Sequence, residues 1–191
     1  AVFVGVFVGV SMGGGGHISP AVTFSFALSG RVTWAEVPIY VAGQFAGAGL
    51  ASLLNWLHHK PHYDITKDPE TIRATFCTAP AIRRKAYNLL SEIIGTFVLI
   101  FAGYYILSAK VGDTEATLGA LDALPISLVV LVIGISLGGT TGYAINPVRD
   151  LGPRIMHAIL PIPHKGHNDW GYAWVPIVGP LIGGALAAWL I

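Results

Sequence analysis

Two short segments carry residue types that suit the binding of small solutes. They read Gly16-His17-Ile18-Ser19-Pro20-Ala21-Val22 and Tyr143-Ala144-Ile145-Asn146-Pro147-Val148-Arg149. Because proline is favoured at the first helical position, and Ser or Asn just before it can accept hydrogen bonds from free N–H groups, both segments predict helix N-termini. The positive ends of two helix dipoles would repel cations and leave room for neutral solutes.

The elements that hold these motifs must lie in a membrane. Of the 191 residues, 53% are hydrophobic and only 11% are charged, and the mean hydropathy is +0.65. A soluble domain has roughly 25% charged residues. This composition excludes a soluble enzyme, a disordered chain and a nucleic-acid binder, and the single cysteine, Cys77, excludes an internal disulfide.

The spacing of the charges predicts an all-α membrane protein with five spans. The stretches that are free or nearly free of charge are 1–30, 37–57, 87–109, 123–139 and 170–191. A helix needs about 20 apolar residues to cross a bilayer. Only about 16 residues precede His17, so we expect the first span to be shortened at its outer end and one further span to precede it. The segments 58–86 and 110–122 are expected to be solvated loops.

The motifs belong to an internal repeat. Each is followed by a segment too short to cross the membrane, 20–29 or 147–159, and then by a full span with a pair of glycines four residues apart, Gly43 with Gly47 and Gly179 with Gly183. Three spans separate the motifs. This odd number predicts an inverted repeat whose two half-membrane helices meet at the midplane. We therefore expect one channel domain over 1–191, with repeat 1 at 1–57, a loop at 58–86 and repeat 2 at 87–191.

The paired motifs resemble the paired Asn-Pro-Ala motifs of the aquaporin, or major intrinsic protein, family. The resemblance covers nearly the whole chain and extends to the segment 91–97 and to Gln44. Asp150 after Arg149, and Pro176-Ile177 in the last span, resemble the glycerol-facilitator branch. Two departures stand out. Ser19 replaces the Asn of the first motif, although its hydroxyl is still expected to cap the half-helix, and Val148 replaces the Ala of the second.

The resemblance implies a role for each site residue. It implies a selectivity filter of Tyr143, Arg149 and Gly134. Water-selective members of the family usually have His at the position of Gly134. The expected pore motifs are Ser19, Pro20, Ala21, Asn146, Pro147 and Val148. The backbone carbonyls expected to line the pore belong to Gly15, Gly16, His17, Tyr143, Ala144 and Ile145. Glu92, Asp150 and Gln44 are expected to support the two loops, with Glu92 accepting hydrogen bonds from backbone N–H groups and Arg154 bracing beside Asp150.

The expected function is passive conduction of glycerol and similar small uncharged solutes, with water, across the cell membrane, while ions and protons are excluded. The resemblance also implies a multi-pass protein in the lipid bilayer and a homotetramer. No enzyme activity, nucleic-acid partner, cofactor or metal is expected, and the His58, His59 and His62 cluster is interpreted as a solvated loop. The alternatives are a water-, urea- or metalloid-preferring channel, an inverted-repeat secondary transporter and a non-conducting fragment. The filter position of repeat 1 would fall before Ala1.

The orientation is predicted by two conflicting signals. The segment 58–86 carries six Lys or Arg residues against three Asp or Glu residues, which favours the cytoplasm by the positive-inside rule. The resemblance implies that this loop lies outside, and we expect that orientation. Labelling of Cys77 is the test that follows from the sequence, and Lys165→Ala is the variant expected to leave selectivity unchanged.

Overall fold

The computed structural model describes residues 1–13, 17–107, 110–111, 114–115 and 118–191. Its helices are α1 (Val2–Met12), α2 (Pro20–Leu28), α3 (Val37–His58), α4 (Lys60–Ile65), α5 (Pro69–Ala74), α6 (Lys85–Leu107), α7 (Leu124–Ser136), α8 (Pro147–Ile159), α9 (Trp170–Ala173) and α10 (Val175–Trp189). Two two-residue strands, β1 (Lys110–Val111) and β2 (Thr114–Glu115), pair antiparallel, and a 3₁₀ turn covers Gly119–Leu121. The predicted carbonyls of Gly15 and Gly16 lie outside the described residues.

Helices occupy all five of the predicted spans. Three are long and apolar enough to cross a membrane: Val37–His58, Lys85–Ile106 and Trp170–Trp189, the last of which contains α9 and α10. The other two, α1 and α7, are apolar but have only 11 and 13 residues. Pro176 at the start of α10 lacks an N–H group, which explains the break in the last span at Trp174.

The two helices that follow the motifs are the half-membrane elements. α2 has 9 residues and α8 has 13, and Pro20 and Pro147 are their first residues. At 1.5 Å per residue these helices are about 14 and 20 Å long, against about 30 Å for the hydrocarbon core of a bilayer. Neither can cross alone, so the length of each matches its predicted role.

Small residues allow the helices of the two repeats to interlock. A Cβ atom on Gly184 of α10 would lie 3.0 Å from the Ala21 carbonyl oxygen in α2, and one on Gly152 of α8 would lie 2.8 Å from Ala48 Cβ in α3. Each half-helix therefore packs against the long span of the opposite repeat. The repeats share one core and are not separate units.

The two predicted glycine pairs differ in what they contact. Gly179 and Gly183 of α10 lie directly against α6, where a Cβ on Gly179 would come within 2.6 Å of Glu92 Cβ. Gly43 and Gly47 of α3 have no atom within 4 Å of the Cβ position among the described residues. The prediction of close helix approach therefore holds for α10, and for Gly43 and Gly47 of α3 it stays a prediction.

The segment 58–86 is folded, so its interpretation as a simple solvated loop is wrong. It contains α4 and α5, and the Asp68 carboxylate caps α5 by accepting hydrogen bonds from the N–H groups of Glu70 and Thr71. Its Tyr63, Ile72 and Phe76 form a small core with two residues that follow α8, Leu160 and Ile162. Apolar residues interspersed among the charges supply this core, which the charge count alone conceals.

Candidate functional site

The two motifs meet through the side chain of Asn146. Its Nδ2 donates to the Ile18 carbonyl oxygen at 2.8 Å, which ties the second loop to the first. Its Oδ1 accepts from the N–H groups of Val148 at 3.0 Å and Arg149 at 3.3 Å. Asn146 thus caps α8 as the sequence predicts, and it also joins the two half-helices.

The first motif starts its helix differently. Ser19 has the extended backbone of an N-cap residue, but its side chain accepts no hydrogen bond from α2. The Ser19 residue is 3% exposed, and its Oγ atom has no hydrogen-bond partner among the residues that the structure describes. The expectation that this hydroxyl caps α2 is therefore wrong. The nearby Thr23 hydroxyl donates to the Ser19 carbonyl oxygen at 3.1 Å.

The second loop has an unusual backbone that Glu92 holds in place. Tyr143 and Ile145 have φ angles of 39° and 43°, in the left-handed region that costs a non-glycine residue free energy. The buried Glu92 carboxylate accepts from the N–H groups of Ala144 at 3.0 Å and Ile145 at 2.7 Å. None of the carbonyl oxygens of residues 143–145 accepts a hydrogen bond from a described residue. These oxygens therefore keep unused hydrogen-bonding capacity within the described part of the chain.

The first loop is held by neutral groups. Gln44 Nε2 donates to the His17 carbonyl oxygen at 2.5 Å and to Thr23 Oγ1 at 3.0 Å. The His17 ring stacks on Tyr40 and meets Phe26 edge-on, with both centroid distances at 4.6 Å. This loop is therefore positioned by an amide and by aromatic packing.

Glycines make the space for the ring of Tyr143. A Cβ atom on Gly134 would lie 3.0 Å from Tyr143 Cζ, and one on Gly138 would lie 2.7 Å from Tyr143 Cδ1. The structure thus brings together two of the predicted filter residues, Gly134 and Tyr143. A side chain at either glycine would displace the ring.

Arg149 and Asp150 are adjacent in sequence but have different surroundings. Arg149 is half-buried, and its guanidinium makes no hydrogen bond or ion pair within the described part of the chain. Asp150 is fully buried and pairs with Arg154, with Nε 2.8 Å from Oδ1. Asp150 therefore pairs with Arg154 and not with its neighbour Arg149.

The Asp150–Arg154 pair belongs to a buried network that holds two distant loops. Asp150 accepts from the Thr78 N–H at 2.7 Å and hydroxyl at 2.6 Å. Arg154 donates to the carbonyl oxygens of Thr78, Asn168 and Asp169. Both charges have a partner of opposite sign and further hydrogen bonds, which reduce the desolvation cost of burying the pair.

Two cavities converge on the junction of the motifs. One, of about 340 Å³, is lined by Tyr143, Ala144, Ile145 and otherwise mostly by apolar side chains of α1, α2, α6 and α7. The second, of about 800 Å³, is lined by His17, Gln44 and side chains of α1, α3 and α8. Asn146 and Arg149 line both cavities. Of the predicted filter residues, Arg149 thus lies between the two cavities and Tyr143 lines the smaller one.

The structure adds residues that the sequence interpretation missed. Phe26 and Tyr104 line the smaller cavity, although their sequence positions suggest ordinary apolar residues of α2 and α6.

Lys165 has a structural role, since its ammonium donates to the carbonyl oxygens of His157, Ala158 and Leu160 at the end of α8. A cation at a helix C-terminus stabilises the helix, so Lys165 is unsuitable as a neutral control.

Other predicted features take no part in the site. His59 is exposed, and its Nδ1 lies 3.1 Å from the Asn55 carbonyl oxygen. The His58 ring meets the His59 ring edge-on. No group of three His, Cys, Asp or Glu side chains in the described ranges is placed to hold a metal ion.

The Cys77 thiol is 2% exposed, and burial raises its pKa to about 11, so Cys77 is a poor probe of orientation.

Comparison with known proteins gives consistent matches. The chain matches the family described as "Major intrinsic protein" over residues 1–191. It is 51% identical over 187 residues to a glycerol uptake facilitator protein of Streptococcus pneumoniae, covering 98% of this chain and 77% of the relative. It is 49% identical over 190 residues to glycerol uptake facilitator protein 3 of Lactiplantibacillus plantarum, covering 100% of this chain and 76% of that one.

A solved structure shows the same fold. The X-ray structure of the aquaglyceroporin from Plasmodium falciparum superposes with a TM-score of 0.79, covering 99% of this chain and 76% of that chain at 24% identity. The predicted fold of two half-membrane helices within an inverted repeat is confirmed, with β1 and β2 as a small addition.

Proposed function

Because the chain belongs to the major intrinsic protein family, we propose that it is a multi-pass membrane channel that conducts glycerol and similar small uncharged solutes, together with water. The family comprises transport channels and not enzymes. The observation that carries the proposal is the mixed lining of the smaller cavity. Asn146, Arg149 and residues 143–145 line it, and the rest of the lining is mostly apolar.

A polyol matches that lining group by group. Its hydroxyls can accept from Arg149 and from the second N–H of the Asn146 amide, and they can donate to the free carbonyl oxygens of the second loop. Its CH groups can slide along the Tyr143 ring and the apolar side chains. The solute therefore exchanges its water hydrogen bonds for protein hydrogen bonds as it enters.

Charged species meet an unfavourable path. The N-termini of α2 and α8 each present roughly half a positive charge at the junction of the motifs, and Arg149 adds a full one. A cation would lose its hydration shell there without anionic groups to replace it. We propose that this electrostatic barrier excludes protons and cations, while the apolar wall excludes hydrated anions.

The preference for glycerol over water rests on the space at Gly134. Since Gly134 has no side chain, the Tyr143 ring lies directly against α7. A side chain at this position would push the ring into the pore, so glycine is expected to keep the pore wider. The named relatives support this preference, because two of them are glycerol uptake facilitators at about 50% identity.

The assembly that we propose is a homotetramer in the lipid bilayer. Apolar side chains on the outer faces of α6 and α7 are exposed, namely Leu90, Ile94, Val98, Leu128, Leu131, Val132 and Ile135. Such a surface is unfavourable in water and needs lipid or neighbouring copies to cover it. Cross-linking of the purified protein in lipid tests the number of copies.

Stopped-flow light scattering of proteoliposomes tests the function. Vesicles with the protein should shrink and then reswell rapidly in glycerol, but only shrink in sucrose. Tyr143→Ala and Arg149→Ala should change the ratio of glycerol to water permeability, whereas Lys67→Ala, an exposed residue of the α4–α5 connection, should not. Reswelling no faster than in empty vesicles would overturn the proposal, and equal effects of all three variants would remove the filter assignment.

A further inference from the structure

The smaller cavity has two ends, and the predicted filter occupies only one of them. Gly134 of α7 contacts the Tyr143 ring, and Ile126 of the same helix contacts Gly103 of α6, next to Tyr104. Eight residues separate Gly134 from Ile126, which corresponds to about 12 Å along the helix axis. Tyr104 therefore lies at the far end of the cavity from Tyr143 and Arg149.

Two aromatic rings close on this far end. Phe26 of α2 and Tyr104 of α6 both line the cavity, and their centroids are 5.4 Å apart in a T-shaped arrangement. The Tyr104 hydroxyl lies 2.5 Å from Ser29 Oγ and donates to the Ser25 carbonyl oxygen at 3.2 Å. Tyr104 is 2% exposed and fixed at both its ring and its hydroxyl.

A guanidinium lies over the same pair of rings. Arg31 Cζ is 4.3 Å from the Tyr104 centroid and 5.7 Å from the Phe26 centroid, within the range of a cation–π contact. Backbone geometry places Arg31 there. After α2 ends, Gly30 adopts a φ of +75°, and hydrogen bonds run from the Gly30 N–H to the Ala27 oxygen and from the Arg31 N–H to the Phe26 oxygen. This is a Schellman motif, which turns the chain back over the helix end.

We infer that Phe26, Tyr104 and Arg31 form a second constriction, at the end of the cavity opposite Arg149. Each end of the path then combines a tyrosine ring with an arginine: Tyr143 with Arg149 at one end and Tyr104 with Arg31 at the other. The rings limit the width at the second constriction and contact the CH groups of a solute. The Arg31 charge lowers the local concentration of cations at this mouth. The inference rests on the proposed function, since it assumes that solute passes through this cavity.

Cysteine substitution tests whether the rings line the conducting path. Phe26→Cys and Tyr104→Cys are labelled with benzyl methanethiosulfonate, a neutral thiol reagent, and glycerol reswelling is measured before and after. We expect labelling, verified by mass spectrometry, to reduce glycerol permeability at least fivefold in both variants. Tyr105→Cys is the matched control, because Tyr105 neighbours Tyr104 on α6 but is 62% exposed on the outer face. It should label with no loss of flux.

The outcomes separate the two proposals. If the unmodified wild-type protein carries no glycerol, the proposed function fails. If it conducts, but labelled Phe26→Cys conducts as well as before or cannot be labelled at all, the second constriction is overturned. Should Tyr104→Cys fail to fold, Phe26→Cys alone decides, because Phe26 makes no hydrogen bond through its side chain.

The charge of Arg31 has its own readout. For Phe26→Cys, the labelling rates of a cationic and a neutral methanethiosulfonate reagent are each divided by the rate with a free thiol in solution. The ratio of the cationic to the neutral value should be below one. Adding Arg31→Gln should raise this cationic-to-neutral ratio several-fold. A merely structural role of Arg31 would change both rates together, so an unchanged ratio would remove Arg31 from the constriction.

Discussion

The two half-helices have the same place in the fold but are held by different chemistry. α8 is capped by Asn146, its preceding loop is held by the Glu92 carboxylate, and its first two turns carry the buried Asp150–Arg154 pair. α2 has no side-chain cap, and its preceding loop is held by the neutral Gln44. The two repeats thus place α2 and α8 in equivalent positions, but different hydrogen bonds hold the two helices there.

The difference follows from what each loop must do. The second loop contains left-handed residues, and it lines the smaller cavity together with Arg149. Such a strained segment needs strong, charge-assisted hydrogen bonds to stay in place. We infer that fine selection of the solute occurs at the second loop, whereas the first loop mainly positions apolar and aromatic walls.

The largest expected effect comes from breaking the charged support of the second loop. Arg154→Leu leaves the Asp150 carboxylate buried and unpaired and should lower the free energy of unfolding by about 3–5 kcal/mol. The double variant Asp150→Leu with Arg154→Leu should lose less, because no lone charge remains. Thermal unfolding in detergent measures both, and a double variant less stable than Arg154→Leu would contradict this explanation.

Exchanging the two cap residues tests the comparison itself. Asn146→Ser keeps a hydroxyl that can cap α8 but removes the amide bond to the Ile18 oxygen, and it should cost about 1–3 kcal/mol. Ser19→Asn offers α2 the cap that it lacks and should raise stability by about 1 kcal/mol. The same unfolding measurement serves both variants. Equal losses from both substitutions would show that the two caps do not differ as described.

A smaller and purely functional effect is expected at Gly134. Gly134→Ala places a methyl group 3.0 Å from the Tyr143 ring and should push the ring toward the path. Glycerol permeability should fall several-fold, while water permeability falls less because water is smaller. Gly139→Ala is the matched control, since nothing lies within 4 Å of its Cβ position. Unchanged glycerol permeability in Gly134→Ala would contradict the role of this glycine.

The smallest effect concerns Cys77, near the second loop but outside the path. Because burial raises the pKa of its thiol to about 11, the thiol is protonated at pH 8. Alkylation at pH 8 should therefore be far slower than that of a free thiol and should accelerate as the pH rises toward 11. The unfolded protein is the control for full reactivity. Rapid labelling of the folded protein at pH 8 would contradict this burial.

Much of the fold followed from sequence because its signals are periodic or positional. The absence of charge marked the spans, and the prolines marked both half-helices, so that 147–159 was predicted with the observed bounds. The paired motifs also led to the junction that Asn146 forms. Such features depend on nearby residues alone, which is why a single sequence contains them.

The errors concern contacts between distant residues. Nothing in the sequence shows that Lys165 reaches back to the end of α8, or that Phe76 packs beneath Leu160 and Ile162. The Ser19 hydroxyl has the right chemistry for a cap but accepts no hydrogen bond from α2 in the folded chain. Tyr104 and Phe26 read as ordinary apolar residues, because their meeting at the cavity depends on the packing of α2 against α6.

Uptake of labelled glycerol into proteoliposomes, as a function of its concentration, tests the channel proposal most directly. A passive channel should give initial rates that rise linearly into the hundreds of millimolar, with no change when proton and sodium gradients are collapsed by ionophores. Saturation at low millimolar glycerol, together with loss of uptake when those gradients are collapsed, would instead show a secondary transporter and contradict the proposed function.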